Sequence, residues 1–181
     1  MPASVERDSN LRCIQRFIAN YALNLNLAAR MIFSLLPVKD GWVLSMDRAN
    51  WKFGEFNINI LTLGITYKGI AFPLLFCLLD KRGNSNWEER KDIIERFFRL
   101  FGHDCTDCLV ADREFIGKEW IGWLNDNRIR YYIRIRQDIW IVKPSTGERI
   151  GAWWLFNSLK VGQGKFYYKT VLHKGQYVYP A

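Results

Sequence analysis

Two aspartates, each at the end of an apolar run, are the residues of this sequence best suited to chemistry. Asp47 follows the run Trp42–Met46, and Asp112 follows Cys108–Ala111. An ionised carboxylate at the tip of a buried strand is costly unless a positive group meets it. Two strands that each deliver one carboxylate predict a divided site for a divalent metal ion, if the fold brings their ends together.

The acids also fit plainer roles when each is considered alone. Asp47 fits a capping or turn residue at a strand end, so its metal role depends on Asp112 and on the order of the elements. Glu114, two residues after Asp112, is expected to face solvent or an arginine rather than to serve as a third ligand.

Hydrophobic periodicity predicts the elements that hold these acids. A meander of three strands is followed by a helix with a capping box at Ser85 and Glu88 and a stop at Gly102. A strand, a helix and a further strand complete the order. The predicted segments are Trp42–Arg48, Glu55–Tyr67, Ile70–Leu79, Ser85–Phe101, Cys108–Asp112, Gly117–Asn125 and Arg130–Arg136.

This order predicts an α/β fold with a ribonuclease H-like mixed sheet, in which the first and fourth strands lie side by side and parallel. Asp47 and Asp112 then meet at one edge of the sheet, where open α/β sheets bind ligands. Carboxylate oxygens suit Mg²⁺ or Mn²⁺ better than zinc. Two such ions can activate a water and stabilise the leaving oxygen of a phosphodiester.

The two acidic segments also carry a family resemblance. Residues 44–54 (LSMDRANWKFG) and 111–120 (ADREFIGKEW) closely resemble the two aspartate blocks of bacterial DDE transposases of the insertion-sequence-four type. The resemblance extends from about Trp42 to Arg136. It implies that Asp47 and Asp112 are the two aspartates of the catalytic triad, with a divalent metal as cofactor and DNA at transposon ends as substrate.

The resemblance also implies a third carboxylate, in a Tyr-Arg-Glu-Lys signature on a helix beyond a β-rich insertion. No such signature follows Asp112 in this sequence. We therefore expect an amino-terminal fragment that does not catalyse transposition alone. Two alternatives stay open: a non-catalytic DNA-binding fragment that inhibits the full-length enzyme, and another ribonuclease H-like nuclease that uses Glu114.

Positive charge is concentrated in the last third of the chain. Residues 1–127 hold 16 basic and 16 acidic side chains, whereas residues 128–181 hold 10 basic and two acidic ones. Such a local field favours a polyanion such as nucleic acid, although solubility alone also explains it. Four arginines share the parity of Tyr132, so one extended strand would present them on one face. The expected DNA contacts are Arg113, Lys118, Arg128, Arg130, Arg134 and Arg136.

We expect three regions: an N-terminal helical segment at 1–40, a partial catalytic core at 41–137, and the start of a β-rich insertion at 138–181. The helical stripe before Pro37 is interpreted as core packing, with a DNA-binding helical domain as the alternative. Aromatic residues after Trp140 are interpreted as core, with base stacking as the alternative.

Composition and cysteine usage exclude several classes of protein. Half of the residues are apolar, which excludes a disordered chain, and no apolar run is long enough to predict a membrane span. Four cysteines without a paired framework indicate a reducing, cytoplasmic setting. The resemblance to bacterial transposases implies a bacterial protein that is associated with the nucleoid through DNA. Cys105 and Cys108 have the spacing of a metal motif but lack a second ligand pair, so Cys108 is expected in the core. A second copy or a full-length transposase is the expected protein partner.

Overall fold

The computed structural model describes residues 3–20, 22–37, 41–136 and 138–180. The chain divides into two compact units, residues 1–35 and residues 36–181. The predicted borders at 40/41 and 137/138 involve residues outside the described ranges and stay predictions. None of the described helices is long and apolar enough to cross a membrane.

The first unit consists of two helices, α1 (Ala3–Asn20) and α2 (Leu25–Leu35). The side-chain oxygen of Asn24 accepts hydrogen bonds from the backbone N–H groups of Asn26 and Leu27, both at 3.1 Å, and so caps α2. The core-packing interpretation of the apolar stripe is wrong for most of its side chains, because they are more than half exposed. These side chains are Leu11, Ile14, Phe17, Leu27, Met31 and Leu35.

The second unit contains a mixed five-stranded sheet with the strand order β3-β2-β1-β4-β5. β2 is antiparallel to both β1 and β3, while β4 is parallel to both β1 and β5. This is the ribonuclease H-like arrangement, so the predicted α/β fold class is confirmed. The strands are β1 (Trp42–Phe53), β2 (Phe56–Tyr67), β3 (Ile70–Leu78), β4 (Thr106–Ala111) and β5 (Tyr131–Ile133).

The first strand extends beyond its predicted end at Arg48. β1 and β2 stay paired in register as far as the Phe53–Phe56 pair, where Gly54 turns the chain with a φ of +61°. A positive φ of this size suits glycine, which has no Cβ to clash. Asp47 therefore lies within β1 rather than at its tip.

Two helices cover one face of the sheet. α3 (Trp87–Phe101) and α4 (Lys118–Asp126) contact each other, so both crossovers lie on the same side. Under them, alternate residues of the central strands are buried with the apolar side chains of the helices. This core includes Leu44, Met46, Leu61, Leu63, Ile65, Ile94, Phe97, Trp120 and Leu124.

The start of α3 differs from the prediction by one residue. Asn86 caps the helix, because its side chain accepts from the N–H of Glu89 while the Glu89 carboxylate accepts from the N–H of Asn86, both at 2.8 Å. Ser85 is buried and receives a hydrogen bond from Arg90 instead. The predicted stop is confirmed, since α3 ends at Phe101 and Gly102 caps it.

The last strand of this sheet is much shorter than the predicted Arg130–Arg136. β5 holds only three residues, and Arg128 precedes it in a turn with a φ of +56°. Arg134 and Arg136 follow after the strand has ended. The inference that one extended strand presents four arginines on a common face is therefore wrong, because the alternation holds only for continuous extended backbone.

A small antiparallel sheet follows, with the order β7-β6-β8-β9. Its core is a cluster of Ile141, Ile150, Ala152, Leu155 and Val171. The aromatic side chains were expected in this core, but four of the five are exposed: Trp140, Trp153, Trp154 and Tyr168. The strands are β6 (Trp140–Val142), β7 (Arg149–Gly151), β8 (Val171–His173) and β9 (Gln176–Val178), and a 3₁₀ turn spans Ala152–Leu155.

Candidate metal centre

Asp47 and Asp112 directly follow the last paired residues of the parallel strands β1 and β4. That last pair joins Met46 to Ala111. The backbone of Asp112 is still extended, with φ −80° and ψ 172°, so the chain continues alongside β1 for one more residue. Neighbouring strands lie about 4.8 Å apart. The two aspartates are therefore neighbours at one edge of the sheet.

The local environment of the two carboxylates is the same. Oδ1 of Asp47 accepts a hydrogen bond from the backbone N–H of Arg48 at 2.7 Å, and Oδ1 of Asp112 accepts one from the N–H of Arg113 at 2.7 Å. Both residues are exposed. The apolar runs predict a costly buried acid at each position, and that prediction is wrong because solvent reaches both side chains.

Neither aspartate has an ion-pair partner among the described residues. Side chains alternate between the two faces of the sheet along each strand. The residues before Asp47 and Asp112 face α3 and α4, so the two aspartates point away from that face. Both carboxylates thus lie on the open face of the sheet, without an ion-pair partner in the described part of the chain.

Arg48 and Glu114, which are close in sequence to Asp47 and Asp112, form an ion pair on the opposite face. Arg48 Nε donates to Oε1 of Glu114 and its Nη2 donates to Oε2, both at 3.0 Å. This paired geometry holds a carboxylate in both position and orientation. The Arg48 side chain is only 10% exposed. The expectation that Glu114 faces an arginine is confirmed.

A buried asparagine continues this network into β2. Asn59 is 4% exposed, and its Oδ1 accepts from Nη1 of Arg48 at 3.2 Å. Its amide nitrogen donates to the carbonyl oxygens of Lys81 and Gly83, both at 3.0 Å. The Asn84 side chain also accepts from Arg48, at 3.1 Å. The loop between β3 and α3 is therefore fastened to the guanidinium group of Arg48.

A second buried arginine holds the backbone of Glu114. Arg90 of α3 donates to the hydroxyl and the carbonyl oxygen of Ser85, at 2.9 and 2.6 Å, and to the carbonyl oxygen of Glu114 at 3.3 Å. Its guanidinium group lies over the ring of Phe115, 5.0 Å from the centroid. Burial lowers the pKa of Arg90, while the charges of Glu114 and Glu89 oppose that shift.

The donor set at the sheet edge fits a magnesium-type ion. Such ions are often held by one or two carboxylates and complete their shell with water. Asp47 and Asp112 supply two hard oxygen ligands with access to solvent. Within the described ranges, no group of three or more His, Cys, Asp and Glu side chains could hold a metal. Glu114 is engaged by Arg48, so it is not free to act as a third ligand.

The pair Cys105 and Cys108 does not form such a centre either. Cys108 is buried, as expected for a core residue, and burial raises its pKa. Cys105 donates to the carbonyl oxygen of Gly102 at 3.2 Å, and burial raises its pKa as well. Raised pKa values disfavour the thiolate form that binds metals.

All six basic residues named as DNA contacts are exposed. Arg113 and Lys118 are close in sequence to Asp112. Arg113 begins a 3₁₀ turn at Arg113–Phe115, and Lys118 begins α4. Arg130 pairs with Asp107 at 2.8 Å and Arg136 with Asp138 at 3.7 Å. The six side chains do not lie on one strand face, and their role in DNA binding stays a prediction.

A cavity of about 840 Å³ opens beside the end of β4. Ala111, the residue before Asp112, lines it together with Arg134 and Arg136 from the segment after β5. Trp153 of the 3₁₀ turn Ala152–Leu155 and His173 of β8 lie on its wall. This cavity therefore lies beside the last residue of β4, with two arginines and several aromatic side chains in a mainly apolar lining.

Sequence reasoning found the two aspartates but missed Arg48, Asn59 and Arg90. A signal for Arg48 was present, since it shares the alternation of Trp42, Leu44 and Met46 on the buried face. A charged residue on a buried face requires a partner.

No family model matches this chain, and no curated protein matches it. Among solved structures, a chain of a simian T-cell lymphotropic virus intasome is 11% identical, with a TM-score of 0.43, over 55% of this chain and 36% of that one. The HTLV-2 integrase catalytic core domain, solved in complex with magnesium, is 12% identical with a TM-score of 0.41, over 55% and 64% of the two chains. A large terminase from a thermophilic bacteriophage is 16% identical with a TM-score of 0.36, over 54% and 23%. This chain thus spans less than two thirds of each of these structures.

Proposed function

We propose that the chain is a transposase-type protein of the insertion-sequence-four class, in which Asp47 and Asp112 bind Mg²⁺ or Mn²⁺ for phosphodiester chemistry on DNA. The observation that carries this proposal is the register of β1 and β4, whose last pair, Met46 and Ala111, is followed on both strands by an aspartate. Both aspartates are exposed, and the structure gives neither an ion-pair partner within its described part. Their oxygens are available for a cation.

The proposed roles follow from the chemistry of the groups present. Asp47 and Asp112 hold the cation through one or both carboxylate oxygens. A divalent cation bound there supplies Lewis-acid stabilisation of charge on a phosphodiester and a water of lowered pKa. Basic residues around the edge, Arg113 and Lys118 among them, contact phosphates and orient the DNA.

The proposal assigns metal and DNA binding to these residues, but not strand cleavage by them alone. The sequence has no Tyr-Arg-Glu-Lys signature, and Glu114 is held by Arg48. The alternative of a nuclease that uses Glu114 as its third ligand is therefore disfavoured, because that carboxylate would first have to leave its arginine.

Binding of Mn²⁺ tests the proposed metal site. The free-ion signal in electron paramagnetic resonance gives the dissociation constant for the full chain, for Asp47→Asn and for Asp112→Asn. We expect each variant to raise this constant at least about 10-fold, because one of the two charged ligands is lost. Mg²⁺ should compete with Mn²⁺, and Asp107→Asn at the other end of β4 serves as the control. Unchanged binding in Asp47→Asn and Asp112→Asn would overturn the proposal.

A second candidate function is DNA binding without catalysis, as in an inhibitory form of a transposase. The ten basic side chains of residues 128–181 favour it, and two of them, Arg134 and Arg136, line the cavity beside β4. Fluorescence anisotropy with labelled duplex DNA should show affinity that falls steeply with salt and persists in Asp47→Ala. Absence of binding at low salt would contradict this candidate.

A further inference from the structure

Each candidate metal ligand is close in sequence to one member of the partly buried ion pair between Arg48 and Glu114. Arg48 is the residue after Asp47, and Glu114 is two residues after Asp112. We propose that Arg48 and Glu114 are positioning residues, whose ion pair fixes the two aspartates relative to each other. This inference rests on the proposed function of Asp47 and Asp112 as metal ligands.

Such positioning is needed because the pairing between β1 and β4 ends before the two aspartates. Pairing between β1 and β4 ends at Met46 and Ala111, and the carbonyl oxygen of Ala111 accepts from Arg134, on the β5 side. Asp112 is therefore past the last β1–β4 pair. Its position relative to Asp47 depends on the 3₁₀ turn Arg113–Phe115, which the bond from Phe115 N to the Asp112 carbonyl closes at 3.0 Å.

The ion pair connects that turn to β1. Two parallel hydrogen bonds of 3.0 Å allow little rotation or sliding between Arg48 and Glu114. Both partners are also held by other groups, Arg48 by Asn59 and Glu114 through its carbonyl oxygen by Arg90. Metal ligands need positions accurate to about 0.5 Å, and this network supplies that accuracy from the face opposite the ligands.

Positioning and simple electrostatics make opposite predictions for Arg48. Loss of a nearby positive charge strengthens cation binding if only the electrostatic field matters. It would also release Glu114, which could then bind the cation itself. If the pair positions Asp112, loss of Arg48 weakens binding in spite of the more negative field. The sign of the effect therefore separates the two explanations.

The experiment measures the Mn²⁺ dissociation constant of the full chain by electron paramagnetic resonance. We expect Arg48→Met and Glu114→Gln each to raise the constant about 10-fold, the size typical for groups that orient metal ligands. Because the two act as a unit, the double variant should match the worse single variant within about 2-fold rather than multiply the two effects. Arg48→Lys retains the charge without the paired geometry, so its constant should lie between those of wild type and Arg48→Met.

Arg130→Met is the matched control. It also removes an arginine from an ion pair, in this case with Asp107 at 2.8 Å. Asp107 is five residues before Asp112, roughly 16 Å away along β4. Its Mn²⁺ constant should equal that of wild type. Circular dichroism checks folding, and Arg48→Lys decides the question if Arg48→Met does not fold.

The outcomes separate the two proposals. Unchanged or tighter Mn²⁺ binding in Arg48→Met, or in Arg48→Lys if the former does not fold, overturns the positioning role while the metal site stands. Multiplicative effects in the double variant also overturn it. If wild type binds no Mn²⁺, or Asp47→Asn binds it normally, the proposed function fails and this inference fails with it.

Discussion

Asp47 and Arg48 are neighbours in one strand, yet the two faces of the sheet give them opposite surroundings. Asp47 lies on the open face, exposed and without an ion-pair partner in the described part of the chain. Arg48 lies on the face under α3 and α4, 10% exposed and bonded to three side chains. The same contrast recurs after β4, where Asp112 is exposed and Glu114 is paired.

The difference shows that side chains on one face of a strand can stabilise the fold while those on the other face are available for chemistry. Charged groups on the buried face are fully paired, because an unpaired charge there is expensive. Charged groups on the open face have free oxygens, because water solvates them at little cost. Substitution of Arg48 should therefore lower stability as well as metal affinity, whereas substitution of Asp47 should weaken metal binding with little change in stability.

Arg48→Met should produce the largest loss of stability at this edge. The substitution retains an apolar stem but leaves the Glu114 carboxylate and the Asn59 oxygen without their donor. Removal of one partner from a partly buried pair should lower the free energy of unfolding by about 2–3 kcal/mol. Urea denaturation without metal measures this change.

Arg130→Met provides the comparison for that value. It breaks an arginine–aspartate pair in which both side chains are about half exposed or more. Exposed pairs contribute about 0–1 kcal/mol, so Arg130→Met should change the unfolding free energy by less than 1 kcal/mol. Equal losses in the two variants would contradict the contrast between the faces.

The sequence was sufficient to predict the strand order and the parallel pairing of β1 with β4, whose last pair precedes Asp47 and Asp112. Period-2 alternation, turn residues and an apolar helical stripe are local signals, and the order they specify permits few topologies. The acids were identifiable because each follows an apolar run, although the argument from burial was wrong. Because β1 and β4 are parallel neighbours, the residues that follow their last pair, Asp47 and Asp112, lie on adjacent segments of the chain.

The lengths of the strands were less predictable, because partners decide them. β1 extends to Phe53 since β2 offers a partner through the whole hairpin, whereas β5 has only β4 beside it and pairs for three residues. No local pattern around Arg130–Arg136 reveals this difference. The expected arginine face was lost for the same reason.

The ion-pair network was also beyond local reasoning. Asn59, Arg90 and Glu114 come from three distant parts of the chain, and their contacts depend on how the loop after β3 and the turn after β4 fold. Ser85 illustrates the ambiguity, because Ser85–Glu88 and Asn86–Glu89 both fit a capping box. The tertiary bonds between Arg90 and Ser85 accompany the choice of Asn86 as the cap.

The smallest effect on stability is expected for Asp47→Asn and Asp112→Asn without metal. Asparagine retains the oxygen that accepts from the next backbone N–H, and it removes repulsion between two exposed charges. At about 5 Å in water that repulsion is less than about 1 kcal/mol, so each variant should be as stable as wild type or more stable by up to about 0.5 kcal/mol. Saturating Mn²⁺ should reverse the order. At about 100 times the wild-type dissociation constant, Mn²⁺ stabilises the wild type by about 2.7 kcal/mol, but a variant that binds 10-fold more weakly by only about 1.4 kcal/mol. Thermal unfolding with and without Mn²⁺ measures both halves of this prediction. A loss above 1 kcal/mol in metal-free buffer would mean that the open-face aspartates stabilise the fold, and the contrast with Arg48 would then fail.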